Sequence, residues 1–312
     1  MSSRVLAVLV LSVLLLAACG KKEPKPVKEA ANAPPANVAP PTPGLHRLTN
    51  TPMADYVGGW SHDGKRILYA EREKKDGGGS DIRVMNADGT GTKSLTDAKA
   101  RNFGAVFSPD DRKIAFNSDR DGNLEVYVMA ADGSSPVDLT KNAANDWLPA
   151  WSPDGKRIVF ASNRDGNMEL YTMAADGSDL VRLTKNEQDD EGPRYSPDGK
   201  KIAYHRYYGE DNWEIQVMNA DGSDDKAITS SKWEESYPDW SPDGKRLVFV
   251  SREHENYDIY VMNADGTNAR PIAVHPLKDF LPRWSPDGKQ ILFHSDREEA
   301  GNDEIYVMDA PK

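Results

Sequence analysis

A short phrase recurs six times along this 312-residue chain: Trp60-Ser-His-Asp-Gly-Lys65, Phe107-Ser-Pro-Asp-Asp-Arg-Lys113, Trp151-Ser-Pro-Asp-Gly-Lys156, Tyr195-Ser-Pro-Asp-Gly-Lys200, Trp240-Ser-Pro-Asp-Gly-Lys245 and Trp284-Ser-Pro-Asp-Gly-Lys289. The leading aromatics stand 47, 44, 44, 45 and 44 residues apart. The third interval shows what each holds: strand-forming runs at Leu148-Pro-Ala-Trp-Ser152, Arg157-Ile-Val-Phe-Ala-Ser162, Glu169-Leu-Tyr-Thr-Met173 and Leu180-Val-Arg-Leu-Thr184. Between them lie Ser152-Pro-Asp-Gly155, Arg164-Asp-Gly-Asn167 and Ala174-Ala-Asp-Gly177. Proline presets φ and glycine accepts φ > 0, so these segments read as turns. One such unit cannot bury both its faces alone, and a fixed period of this length predicts a ring of four-stranded blades, A to D from the axis outwards. The expected fold is all-β, a six-bladed β-propeller.

The phase of the repeat predicts how the ring closes. Strand D ends in Leu95-Thr96, Leu139-Thr140, Leu183-Thr184, Ile228-Thr229 and Ile272-Ala273, and one more copy, Leu48-Thr49, precedes the first landmark. The chain ends on a third strand, Ile305-Tyr-Val-Met308 and the four residues after it. Residues 45–49 are therefore expected to supply the outer strand of the last blade, leaving no unpaired edge at the seam.

Ahead of the propeller, residues 1–18 read as a signal peptide: Arg4 is followed by an almost wholly apolar run from Val5 to Leu16, too short to span a bilayer. Leu16-Ala-Ala-Cys19 resembles a bacterial lipobox, which implies lipidation at Cys19, the sole cysteine of the chain. Residues 19–44 are rich in proline and alanine, cannot bury a core, and read as a semi-rigid tether. Gly20 stands where aspartate marks inner-membrane retention in such lipoproteins, so the resemblance implies the outer membrane, periplasmic face.

The chain carries 39 basic and 50 acidic side chains, a net charge of −11. Nucleic acid, which needs a basic footprint, is a poor fit; an envelope protein or a basic peptide suits this charge, with the membrane reached through the anchor. The repeats, of the form aromatic-Ser-Pro-Asp-Gly-Lys, then Ser-x-Arg, then Glu-Ile-Tyr-Val-Met-x-Ala-Asp-Gly, then Leu-Thr, resemble the six-bladed propeller of the TolB family. That resemblance covers residues 45–312 and implies a periplasmic, monomeric, partner-binding propeller of the Tol-Pal envelope system. A TolB protein also has an N-terminal α/β domain, in whose place this chain has the tether.

The D-to-A loops and B-to-C turns of a propeller crowd one mouth of its axis. Five residues before each landmark stand Asp55, Asn102, Asp146, Asp190, Glu235 and Asp279; next to them stand Tyr56, Phe103, Trp147, Glu191, Ser236 and Phe280. Two readings stay open: an acidic, aromatic ring that docks a basic peptide or holds calcium through its carboxylates, or acids that cap their own loops and aromatics that pack between blades. The fourth blade departs from the pattern. His205-Arg-Tyr-Tyr-Gly-Glu-Asp-Asn-Trp213 lengthens its B-to-C turn, making Tyr207, Tyr208 and Trp213, with Trp233 nearby, the sector where binding is expected.

Arg72, Arg120, Arg164, Arg206, Arg252 and Arg297 close strand B, and Asp81, Glu125, Glu169, Glu214, Asp258 and Glu304 open strand C, so ion pairs across the hairpin are expected. Asp119-Arg-Asp-Gly-Asn-Leu-Glu125 lacks the full frame of a calcium loop and reads as a turn. The six histidines fall at unlike repeat positions, and there is neither a Gly-x-Ser-x-Gly elbow nor a phosphate loop. The expectation is a non-catalytic, partner-binding lipoprotein without a cofactor, calcium being the one ion its carboxylates would suit. The competing classes are a glycan lyase or hydrolase using mouth carboxylates as acid and base, and a purely structural envelope scaffold.

Overall fold

The computed structural model describes residues 42–72, 78–253 and 256–312; the signal segment, Cys19 and most of the tether lie outside them. Among the described residues there are six antiparallel sheets of four strands each, and no helix. The third blade is representative: strand A is Asp146–Trp151, B is Arg157–Ser162, C is Glu169–Ala174 and D is Val181–Arg182, hydrogen-bonded in that order. Strand B is buried on both faces, with Ile158, Val159, Phe160 and Ala161 fully enclosed. Each landmark aromatic fills the gap between blades; Trp151 packs among Ala115, Val126 and Val128 of blade 2 and Phe160, Tyr171 and Met173 of its own blade.

The recurring phrase folds as a self-capping turn. Ser152 Oγ donates to Asp154 Oδ1 at 2.7 Å, that oxygen accepts the Lys156 N–H at 3.1 Å, and Gly155 takes the left-handed φ of 68° that closes the loop. The same Ser-to-Asp bond forms in all six blades.

The seam closes as expected: His46–Arg47 pairs antiparallel with Glu304–Asp309, His46 opposite Val307 and Arg47 opposite Tyr306. The Thr of the Leu-Thr pair is the latch. Thr49 Oγ1 donates to Glu304 Oε2 at 2.5 Å and accepts the Ile305 N–H at 2.9 Å, while the Thr51 N–H reaches Glu304 Oε1 at 2.9 Å. Thr229 and Glu214 repeat the hydroxyl-to-carboxylate bond in blade 4, at 2.6 Å. The acids that open strand C therefore tie down strand D, which is only two residues long in most blades.

Strand A carries a bulge that bends it along the axis. In blades 2 to 6 the bulge holds a left-handed residue, Gly104, Leu148, Gly192, Tyr237 and Leu281. Blade 1 has Val57 at this position, and a β-branched side chain resists φ > 0; its bulge is one residue, between Val57 and Gly59.

Candidate functional site

The structure turns the ring of acids inward. Asp55, Asn102, Asp146, Asp190 and Asp279 are fully buried, and Glu235 is half-buried. Asp146 accepts two bonds from Arg164 Nη2, at 2.9 and 3.1 Å, and Asp279 two from Arg297 Nη2, both 2.8 Å. Asp190 accepts from Arg206 Nε at 2.6 Å and Nη2 at 3.0 Å. In blade 2 Asn102 Oδ1 takes the Arg120 Nη2 bond at 3.1 Å. The guanidiniums of Arg120, Arg164 and Arg297 each lie over two rings of their own blade, such as Phe293 and Tyr306 at 5.2 and 5.1 Å from Arg297. The expected pairing with strand C acids is corrected for Arg120, Arg164, Arg206 and Arg297: each bonds the strand A residue of its own blade, while the strand C acids Glu125, Glu169, Glu214 and Glu304 bond strand D and the residues just after it.

Sequence spacing tracks which acids gain an arginine. Counted from the landmark, the arginine stands thirteen residues on in blades 2, 3 and 6 and eleven on in blade 4, but twelve on in blades 1 and 5. Arg120, Arg164 and Arg297 stand in the turn two residues past the end of strand B, and Arg206 lies on the longer strand B of blade 4. Asp55 and Glu235 belong to the two blades with twelve. Neither oxygen of Asp55, and not Oε2 of Glu235, has a hydrogen-bond partner among the described residues. Burial, with Glu304 and Glu71 nearby, pushes the Asp55 carboxyl up to about 8; burial and Glu214 push Glu235 up to about 7.

The surface that remains open at this mouth is aromatic and cationic. A cavity of about 80 Å³ on the axis is lined from strand A of every blade, with half-buried Tyr56 and Phe103 and buried Trp147, Leu148, Tyr237 and Phe280. Its charged lining is Arg72, Arg101, Arg194 and Arg283, with no carboxylate among the lining residues. The acidic rim expected there is thus replaced by guanidiniums, because the carboxylates have turned away into the blades. Among the described residues no three His, Cys, Asp or Glu side chains gather as a metal site, so the calcium expectation has no donor set here.

The remaining expected residues sit in one sector. Tyr208 is 50% exposed on the lengthened hairpin of blade 4, strands Lys201–Gly209 and Asn212–Asn219, whose turn places Glu210 and Asp211 at φ 52° and 60°. Tyr207 and Trp233 are half-buried, the latter under Lys232 Nζ at 4.5 Å, and Trp213 is buried. A run of ring contacts leads from this hairpin to the cavity: Tyr207 to Trp213 at 5.0 Å, Trp213 to His205 at 4.9 Å, His205 to Tyr237 at 4.7 Å and Tyr237 to Phe280 at 5.0 Å. Burial brings His205 down to about 3, so it is a neutral ring, and burial holds the enclosed Glu191 well above the usual carboxylate range.

Sequence reasoning missed the residues at the waist of the axis. Immediately before the landmarks stand Gly59, Val106, Ala150, Arg194, Asp239 and Arg283. Three blades are apolar there and three charged, an asymmetry visible in the repeat alignment itself. Arg194 and Arg283 line both this cavity and a second one, of about 360 Å³, which is bounded by the prolines of the recurring turns and by Asp239.

Comparison with known proteins agrees with this architecture. An uncharacterized protein of Agrobacterium fabrum is 37% identical over 86 residues, 28% of each chain, so the match spans little more than a quarter of that relative. Among solved structures, a candidate TolB from Agrobacterium tumefaciens superposes with a TM-score of 0.67 at 24% identity, over 86% of this chain and 97% of the other. TolB from Acinetobacter baumannii gives 0.65 at 21%, over 80% and 64%, and an oligogalacturonate lyase from Vibrio parahaemolyticus 0.60 at 17%, over 86% and 94%. At these identities the structures speak for the fold alone. The profile of the TolB beta propeller domain matches residues 48–237 and 193–312, which together take in all six blades, and the chain belongs to that family.

Proposed function

We propose that this protein is a lipid-anchored, periplasm-facing propeller that binds a protein or peptide partner of the cell envelope at the aromatic mouth of its axis. The observation that carries the reading is the asymmetry of blade 4: a lengthened hairpin lifts Tyr208 into solvent next to Tyr207, from which ring contacts run to the cavity. A structural repeat needs no such departure, and aromatic side chains on a rigid hairpin are the anchors from which docking sites are built. The buried acids Asp146, Asp190 and Asp279 hold blades together in this reading, and docking falls to Tyr56, Phe103, Tyr207, Tyr208 and Trp233. A photo-crosslinker at position 208, compared with one at Val181 on an outer strand, tests it in intact envelopes. A discrete adduct from 208 alone, weakened by Trp233→Ala, is expected; no adduct, or the same adducts from both sites, overturns the reading. Cys19→Ser is expected to abolish acyl labelling, and equal labelling of the variant would end the lipoprotein reading.

One observation favours a glycan-active enzyme as a second reading. Tyr237 Oη and His294 Nε2 are buried without hydrogen-bond partners among the described residues and line the cavity with Arg283, a set that proton abstraction next to a carboxylate could use. Release of unsaturated sugars from uronate oligosaccharides, lost in Tyr237→Phe, would establish it; no release would remove it.

A further inference from the structure

Two guanidiniums at the waist of the axis lack a full complement of partners. Arg194 and Arg283 each spend one N–H on the carbonyl before them, Pro193 at 3.1 Å and Pro282 at 2.9 Å. The carboxylate between them is Asp239, whose Oδ2 is taken by the Trp284 N–H at 2.9 Å and whose Oδ1 stands 3.9 Å from Arg194 Nε, beyond hydrogen-bond distance. Arg283 is 7% exposed and its Nε has no hydrogen-bond partner among the described residues. A guanidinium carries five N–H donors, and leaving such a charge enclosed and half-used is costly. Burial and the neighbouring Arg283 bring Arg194 down to about 9, the direction expected of cations short of an anion. Directly against these forks lies the cavity walled by Phe103, Leu124, Trp147, Leu148, Tyr237 and Phe280, apolar surface that favours hydrocarbon over water.

We propose that this cavity binds an apolar monocarboxylate, its carboxylate held between Arg194 and Arg283 and its aryl or alkyl body enclosed by the aromatic wall. The carboxylate comes from a free small acid or from the chain end of a peptide with an apolar last residue. Bidentate geometry suits a guanidinium pair, and the apolar body distinguishes this ligand from inorganic anions and from uronates. The site shares Tyr56 and Phe103 with the proposed docking surface but takes nothing from Tyr207, Tyr208 or Trp233, and its test uses small probes rather than the envelope partner, so failure of one is distinguishable from failure of the other.

Titration of the whole chain by calorimetry, with tryptophan fluorescence as a second signal, tests the proposal. The probes are 3-phenylpropionate, its neutral amide, galacturonate, phosphate, and a pentapeptide ending in Phe as free acid or amide. The free acid should bind at least about tenfold more tightly than its amide, and Arg194→Gln and Arg283→Gln should each weaken it by about tenfold, the loss of one charge-assisted contact. Binding of phenylpropionate assigns the site to free acids, and binding of the peptide acid alone assigns it to chain ends. Equal binding of acid and amide, no binding of either acid, or equal binding of phosphate and galacturonate overturns the proposal. The acid-against-amide comparison uses the unaltered chain and stays decisive even where an arginine variant fails to fold.

Discussion

Asp279→Ala tests whether the strand A carboxylates hold the blades or face a partner. Asp279 is fully enclosed, both its oxygens accept from Arg297 Nη2 at 2.8 Å, and the guanidinium lies over Phe293 and Tyr306. Removing the carboxylate strands a cation in an aromatic layer, and breaking a buried pair in this way costs about 3–5 kcal/mol. For a domain of this size each kcal/mol lowers the melting temperature by about 2–4 °C, so a fall of about 6–20 °C is expected. The pair as a whole is worth far less than that. Burial keeps the Asp279 carboxyl above its usual range even beside Arg297, which means that enclosing the two charges already offsets much of their attraction. The double variant Asp279→Leu with Arg297→Met, which leaves no charge behind, should therefore recover most of the loss. Lys226→Ala, which breaks the exposed pair with Asp224, is the control and should stay within about 0.5 kcal/mol. Circular dichroism melting and urea titration read all three. A single variant no worse than the control would refute the structural role and return these acids to the docking surface.

Asp55 and Glu235, raised to about 8 and about 7, contribute stability while protonated, and that contribution is lost as pH rises through those values. Asp55→Asn, which copies the Asn102 of blade 2, should leave stability near pH 4 unchanged and raise it above pH 8; a urea midpoint that does not move with pH in the parent would contradict this. Thr49→Val removes a buried hydroxyl that both donates to Glu304 and accepts from Ile305, and should cost about 1–3 kcal/mol, whereas deleting residues 45–49 should lower the melting temperature further by uncovering the last blade. Glu210→Asn with Asp211→Gly suits the left-handed turn of the blade 4 hairpin and should add about 0.5–1 kcal/mol, seen as a higher urea midpoint; a loss would mean that the turn is held by contacts other than its own backbone.

The architecture was legible because each of its instructions is local. The aromatic landmark, the Ser-Pro-Asp-Gly turn and the Leu-Thr end act within a few residues of themselves, and six copies at a constant phase leave one ring and one seam, down to the pairing of His46–Arg47 with the last strand. Local chemistry also marked blade 4 as the exception. The candidate site was legible only in part: Tyr56, Phe103, Trp147 and Phe280 do line the axial cavity, but the acids beside them do not. A sequence shows that Arg164 and Asp146 recur, not that the side chains meet, the arginine reaching back from the turn after strand B to the acid at the start of strand A. The charge of the mouth was likewise a matter of direction. A chain of net charge −11 presents arginines to its axis because carboxylates that can reach a guanidinium inside a blade are drawn there, while Arg194 and Arg283 project from strand A towards a centre where only Asp239 can answer them. The sequence by itself determined the repeat, the number of blades and the closure; the tertiary structure alone decided which charges face the axis, because that depends on contacts between strands and blades far apart in the chain.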